Sequence, residues 1–468
     1  MDDTKPSFGR SDFGNVALGH ARRTRRLVTL VDQLCRHPGG TLPDKLNRPA
    51  DLRAFYRLMN RPEVTHEVLS GSHGDATRER IRALGGGVVL QLHDATELDF
   101  TSKTTLLEDL GQIGQGTRRG YICHNSLAVR ADTGEALGLL SQILHHRADV
   151  PEGETVPQAR ARQDRESRLW VRGAAACGPA PNGVQCVDIS DSLSDTFEYL
   201  AYEVKHTRPF VLRAKENRKL VEPVAGQRYL LDAARQLPSS GSQPLQVLQS
   251  PQRSARQTTV QIALAAVRLA VPRKHMGEYT KQPLDLWVIR VWETQTPAGE
   301  EPLEWILLTN VPVEQLAEAK ERIAWYERRP IIEELHKAMK TGCSLEKMQF
   351  EKIERLEPAI ALLSAVATTL LRLRDAARAP DADQRPAREV VDAEYVEVLA
   401  SHYGKRVGPR PSVLTFYKHV ARLGGHQNRK SDGFPGWITL WRGWMKLQCM
   451  VDGYRAARRK YSQSCGKT

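Results

Sequence analysis

Tyr326, Arg329, Glu333 and Lys340, within WYERRPIIEELHKAMKTG, stand at offsets of 3, 7 and 14 residues. At about 100° per residue an unbroken helix would gather all four on one narrow stripe. The result is a mixed-charge stripe, with a carboxylate between a guanidinium and an ammonium. Pro330 complicates the stripe, because it lacks an N–H and sits best at the first position of a new helix. A break near Arg329 is therefore expected, with Glu333 and Lys340 aligned on the second piece. By spacing alone, the pattern reads better as a surface helix whose Glu333 and Glu334 favour the positive N-terminal dipole. Two aspartates stand where strand-like runs finish: Asp94 closes VVLQLHD, and VQCVDIS delivers Asp191. Each has an ordinary role too, Asp94 as a turn former and Asp191 as the cap of the following helix.

Such residues need elements to position them. The chain has 468 residues, which is about three domains by length. Its 68 Lys and Arg against 55 Asp and Glu leave a net charge of +13, which favours an anionic partner such as nucleic acid. Near the front, RRTRRLVTLVDQLC sets Arg22, Arg23, Arg25 and Arg26 before a helical face of Leu27, Leu30, Val31 and Leu34. DLRAFYRLMNRP spaces Arg53, Arg57 and Arg61 by four residues, with Asp51 as a candidate N-cap and Leu52, Phe55 and Met59 on the apolar face. By charge alone these ridges are solvated helix faces that could track phosphates.

Farther on, VVLQLHD, a hairpin around Asp132-Thr133-Gly134, a helix through Leu169 and Trp170, then VQCVDIS, SDTFEYLAYEV and PFVLRAK give the order β-β-β-α-β-α-β. One mixed sheet with helices against it is the plan of ribonuclease-H-like domains, among other α/β folds. Residues 221–310 read as a β-rich insertion, AARAPDADQRPAR as a linker, and Val390 to Lys460 as a small helical domain around the loop GGHQNRKSDGFPG. Seven scattered cysteines without paired Cys/His spacing predict neither a zinc site nor a disulfide framework, and no phosphate-cradling G-x-x-x-x-G-K-[ST] calls for a nucleotide cofactor. The start, MDDTKPSFGRSDFG, lacks an apolar signal region, and Ala359 to Leu371 is short of the ~20 residues that span a bilayer. An intracellular protein with no membrane partner is expected.

Taken together, these motifs resemble the IS-four family of bacterial DDE-class cut-and-paste insertion-sequence transposases. The family's Y-x2-R-x3-E-x6-K signature is matched residue for residue by Tyr326, Arg329, Glu333 and Lys340. Its first aspartate, in a D-[AT]-T context, is matched by Asp94 in LHDATELDF, and its second, in D-x3-D-x3-YL, by Asp191 in DSLSDTFEYL. ALGHARRTRRLV and FYRLMNRPEV at the front and LGGHQNRKSDGFPGWITLWRGWMKLQ at the back extend the similarity over nearly the whole chain. The resemblance implies that Asp94, Asp191 and Glu333 are the catalytic carboxylates and hold two Mg²⁺ ions, with Mn²⁺ as a substitute. A hard cation with oxygen ligands and retained waters suits that set, and two such ions can serve both sides of an in-line displacement. The resemblance also implies DNA contacts from Tyr326, Arg329 and Lys340, from Arg213 and Lys215 in FVLRAK, and from Trp305 in EWILLT, where stacking would hold a flipped base. The front helices, with Arg22, Arg23, Arg26, Arg53, Arg57 and Arg61, are expected to recognise the DNA ends. Pro330 stands where close relatives often carry a further tryptophan.

The expected architecture is an α/β ribonuclease-H-like mixed-sheet catalytic core with an inserted β-sheet, flanked by all-α N-terminal and C-terminal domains. Residues 1–70 would recognise terminal repeats, 71–375 would catalyse, with the insertion at about 221–310, and 376–468 would dimerise. A helical surface with Trp441, Trp444, Met445 and Gln448 is expected to face the partner copy. The implied activity is that of a DNA transposase. It would bind terminal inverted repeats, excise the element by two-metal hydrolysis and transesterification through a hairpin, and join it to target DNA. Its partners would be double-stranded DNA, both terminal repeats and target, and a second copy of the chain, in the bacterial cytoplasm at the nucleoid. The rivals are a catalytically idle transposase-derived DNA-binding protein and a structure-specific ribonuclease-H-like nuclease.

Overall fold

The apolar run VVLQLHD continues through ATELD into a strand of 12 residues, β1 (Val88–Asp99), and its neighbours assemble around it. The computed structural model describes residues 7–147, 153–155, 158, 162, 164–247, 253–273, 279–429 and 434–465. Part of the loop 151–167 and the centre of GGHQNRKSDGFPG lie outside the described residues. Two units emerge, one formed by Met1–Ala76, Asp132–Gly138 and Glu333–Thr468, the other by Thr77–Ala131 and Leu139–Ile332.

The second unit is built on one mixed sheet. Its strands are β1, β2 (Gly111–Gln112), β3 (Arg119–Arg130), β4 (Ala136–His145), β5 (Gln185–Ser190), β6 (Phe210–Arg213), β7 (Lys219–Val224), β8 (Gln227–Tyr229), β9 (Gly241–Val247), β10 (Arg256–Leu269), β11 (Leu284–Glu293) and β12 (Glu304–Thr309). Their order is β2-β3-β1-β5-β6-β12-β11-β10-β7-β8, with β4 on β3 and β9 on β10. β1, β5 and β6 run parallel, whereas β3 and β12 join this trio antiparallel on either side. The turn between β3 and β4 falls at the expected Asp132-Thr133-Gly134, where Gly134 takes φ +74°, a conformation that glycine adopts at no steric cost. Sequence reading separates an inserted sheet at 221–310. In the structure those strands continue the core sheet, because β12 returns to pair with β6 and β11 and β10 follow in register.

Residues Leu169–Cys177 and Phe197–Lys205 form the helices that pack on this sheet, numbered α6 and α7 after the five at the front of the chain. Leu169, Leu200, Phe210, Leu212, Val288 and Leu308 share one core and are fully buried. Burial of side chains this size is worth about 1.5–3 kcal/mol each. The mixed α/β architecture, with a large mixed sheet and helices at both ends of the chain, is consistent with a ribonuclease-H-like core.

The first unit is helical. Its leading elements are α1 (Phe8–Phe13), α2 (Ala21–Arg36), α3 (Leu42–Lys45) and α4 (Pro49–Met59), followed by α5 (His66–Ala83), which runs on into the second unit. Leu27, Leu30, Val31 and Leu34 are buried on α2 as their spacing predicts. Asp51 does not cap α4: Pro49 opens that helix after Arg48, and Asp51 turns inward to accept from Gln33 at 3.1 Å. After α8 (Leu230–Gln236), α9 (Leu316–Tyr326) and α10 (Pro330–Lys337) come α11 (Ile353–Thr369), α12 (Arg372–Arg378), α13 (Ala393–Tyr403), α14 (Val413–Leu423) and α15 (Trp437–Cys465).

AARAPDADQRPAR is no loose linker. Ala382 and Ala387 are buried, the Val413 N–H donates to Arg385 O at 2.8 Å and the Leu414 N–H to Ala382 O at 2.8 Å, so its Pro-rich backbone is satisfied by the start of α14. Among the described residues one helical stretch, Ile353–Arg378, is long and apolar enough to cross a membrane by length and composition, and 72% of its most apolar window is buried. The surface expected to meet a partner copy is likewise covered by its own unit. Trp444 stacks on Tyr395 at 4.9 Å between centroids, and the buried Gln448 donates to Arg36 O at 2.8 Å.

Candidate active site

The parallel ladder between β1 and β5 ends at the pair His93–Ser190, and that between β5 and β6 at Ser190–Leu212. One residue farther along each strand come Asp94, Asp191 and Arg213. In parallel strands, residues at one register level point to the same face, so the three form a row at the carboxyl edge of the parallel trio. Ligands of open α/β sheets bind at such edges. Asn125 extends the row on the other side, because it is the ladder partner of Asp94 on β3. Asp94 is not at a strand end as its sequence suggests: β1 continues to Asp99 along β3, and only the pairing with β5 stops.

Each aspartate is oriented by its own backbone neighbourhood. Asp94 Oδ1 accepts from the Ala95 N–H at 2.9 Å, and Asp191 Oδ1 accepts from the Leu193 N–H at 2.9 Å. Asp191 thus caps the short 3-10 turn Ser192–Ser194, whereas Thr196 caps α7. The second oxygen of each carboxylate meets Arg329. Its Nη2 lies 3.2 Å from Asp94 Oδ2 and 3.3 Å from Asp191 Oδ2. All three side chains are largely withdrawn from solvent, with 16%, 10% and 19% exposure for Arg329, Asp94 and Asp191. Charge-assisted bonds in such a setting are stronger than at a surface.

Arg329 reaches this row from the expected break, between the end of α9 at Tyr326 and the start of α10 at Pro330. Tyr326 is buried and packs edge-on to Trp305 at 5.2 Å, so the aromatic stacking candidate on β12 rests against the signature tyrosine. Trp305 is half-buried and lies two residues from Leu307, which pairs with Arg213. Arg213 in turn donates from Nη2 to Glu304 O at 3.2 Å.

Lys215 is exposed just beyond β6, on a loop held by the buried Asp195, which accepts from the Lys215 N–H at 2.6 Å and the Glu216 N–H at 2.8 Å. Glu333 sits in the first turn of α10 and belongs to the helical unit. The 100° count fails at Lys340, because Ala338–Gly342 forms a wide π-helical turn, and Lys340 lies 3.8 Å from Glu346. No group of three or more His, Cys, Asp or Glu is gathered as a metal site among the described residues.

A second polar layer, which sequence reasoning missed, lies one to three residues below the row and faces the other side of the sheet. His93 Nε2 is 2.7 Å from Asp188 Oδ1, and its Nδ1 is 2.9 Å from Ser126 Oγ. Arg208 Nε donates to Asp188 Oδ2 at 2.8 Å and its Nη2 to Gln91 Oε1 at 2.8 Å. Burial first, and then the Asp188 carboxylate, push the neighbouring Glu203 carboxyl well above the usual range. The signal was in VVLQLHD, where Gln91 and His93 alternate with Leu90 and Leu92: two polar residues on one face of an apolar strand need buried partners.

In the helical unit, Arg22, Arg53, Arg57 and Arg61 are exposed, as a phosphate-tracking ridge requires. Arg23 and Arg26 are engaged in ion pairs, with Glu63 at 2.9 Å and Asp51 at 3.3 Å, which tie α2 to the turn after α4 and to α4 itself. Residues 6–64 match the family model for transposase DNA-binding. The transposase DNA-binding domain thus covers α1 to α4 and all six of these arginines. It supports a DNA-binding transposase with DNA as partner.

Proposed function

We propose that the chain is a DDE-class cut-and-paste transposase of the IS-four family, near the transposase of transposon Tn-five. The observation that carries the reading is the pairing of Asp94 and Asp191 at one register level on the parallel edge, with both Oδ2 atoms turned to a single positive group. A hard divalent cation fits the donor chemistry there, since each carboxylate keeps its other oxygen on a backbone N–H and presents one oxygen to a shared point. When bound, magnesium supplies Lewis acidity at the phosphoryl group and lowers the pKa of a coordinated water.

Asp94 and Asp191 would hold it, with Glu333 as the third carboxylate on the strength of the signature. Arg329 and Lys340 would orient phosphates flanking the scissile bond, the first as a fork and the second as a point charge. Arg213 and Lys215 would hold the same DNA end from the β6 side, and Trp305, backed by Tyr326, would stack an extruded base. Residues 1–70 would recognise the terminal inverted repeats, 71–375 would cut and join, and 376–468 would take part in pairing two copies, at the nucleoid of a bacterial cytoplasm. Incubating the purified chain and Mg²⁺ with a labelled duplex carrying the repeat that flanks its own gene tests the reading. Nicks, terminal hairpins and joined products should appear in that order, whereas cutting without joining would indicate a nuclease.

A further inference from the structure

Arg329 occupies the point that both aspartates address. Its one amino group, Nη2, reaches Asp94 Oδ2 and Asp191 Oδ2 at 3.2 and 3.3 Å, while the two Oδ1 atoms are committed to the N–H groups of Ala95 and Leu193. The oxygens that a cation would need are therefore the ones bonded to the guanidinium. Arg329 is also placed where it can leave. It lies in the turn between α9 and α10, just before Pro330, and 16% of its side chain is open to solvent, where a phosphate can meet it.

We infer that Arg329 is a resident counter-ion which blocks the paired aspartates in the DNA-free protein and moves onto a DNA phosphate when an end docks, so that the aspartates take up a divalent cation only on DNA. The inference rests on the proposed metal-holding role of Asp94 and Asp191. Without DNA, two carboxylates this close repel one another, and the guanidinium neutralises them. A phosphodiester offers that guanidinium a bidentate anion. Once it has moved, the carboxylates regain their appetite for a cation. DNA and metal thereby favour one another's binding by the same factor, as linkage requires. An idle protein of this design would not load metal and cut at random.

The test is Mn²⁺ binding to the full-length protein, read from the free-ion signal in electron paramagnetic resonance. Without DNA, Arg329→Gln should bind Mn²⁺ about tenfold more tightly than wild type, and the gain should vanish when Asp94→Asn and Asp191→Asn are added. Equal or weaker binding by Arg329→Gln would overturn the inference. Should that variant fail to fold, wild type alone suffices. A duplex carrying the terminal repeat should raise its Mn²⁺ affinity about tenfold beyond the duplex's own uptake, measured with the Asp94→Asn, Asp191→Asn protein, and Mn²⁺ should tighten duplex binding by the same factor. Mn²⁺ affinity unchanged by DNA would overturn it. If no Mn²⁺ binding under any condition depends on Asp94 or Asp191, the metal-holding reading itself fails.

Discussion

Replacing Arg208 with alanine probes the layer on which the aspartate row is built. The guanidinium makes bonds of 2.8 and 3.1 Å to Asp188, one of 2.8 Å to Gln91 and one of 2.9 Å to Gly178 O. Asp188 is only 2% exposed and Arg208 14%, so solvent screens the pair little. Truncation leaves a buried carboxylate without its main counter-charge, and breaking a buried pair in this way costs about 3–5 kcal/mol. The two bonds to Gln91 and Gly178 add about 1 kcal/mol each at most, since water refills part of the space.

The expected loss is thus about 3–7 kcal/mol, read as a fall in the urea midpoint at unchanged slope. Asp188→Asn combined with Arg208→Ala should recover part of it, because the stranded charge is gone. Gln91 and Asp188 are ladder partners on β1 and β5, three residues ahead of Asp94 and Asp191, so loss of stability should be matched by loosening of that edge in hydrogen exchange. A loss below about 1 kcal/mol would refute the reasoning, since a pair of that worth belongs on an exposed surface.

Glu203→Gln should change the pH dependence of stability. Burial raises the Glu203 carboxyl well above its ordinary 4.5, so the native state holds a proton that the unfolded chain has released. Its stabilisation is complete below about pH 4.5 and fades as pH rises toward the folded value. Thermal midpoints of variant and wild type should converge near pH 4 and diverge in favour of the variant toward neutrality, and parallel curves would contradict this. Arg53→Ala and Arg57→Ala should each lower the slope of log affinity against log salt for DNA by about 0.9, as loss of one phosphate contact does; unchanged slopes in fluorescence anisotropy would remove α4 from the interface. Deleting residues 376–468 strips Trp441 and Met445 from beside Gly39 and removes the Gln448 bond to Arg36. The shortened chain should be insoluble or melt early, and a soluble protein with the wild-type midpoint would show that this helix serves only a partner.

Legibility in the sequence followed the range of the interactions. The strand VVLQLHD, the break at Pro330 and the buried face of α2 were readable because each depends on local spacing or on a ring without an N–H. The pairing of Asp94 with Asp191 was accessible through motifs but not through geometry, since the two lie 97 positions apart in the chain (191 − 94). What failed were inferences that ignored tertiary cover. Trp441, Trp444 and Gln448 have the composition of an interface, yet α2, Tyr395 and the segment around Gly39 use them as core. The Pro-rich stretch before Val390 looked like a linker because its carbonyl partners are on α14, more than twenty residues away. Lys340 left its stripe because a π-helical turn cannot be seen in a count that assumes about 3.6 residues per turn.

The proposed function has Asp94, Asp191 and Glu333 cut DNA while other residues hold it. Its most direct test compares Mg²⁺-dependent nicking of a terminal-repeat duplex by Asp94→Ala, Asp191→Ala and Glu333→Ala, with gel-shift titrations of the same duplex alongside. Nicking should be abolished in all three, and affinity for the duplex should stay within about twofold of wild type. Near-normal nicking by any one of them would remove that residue from the active site.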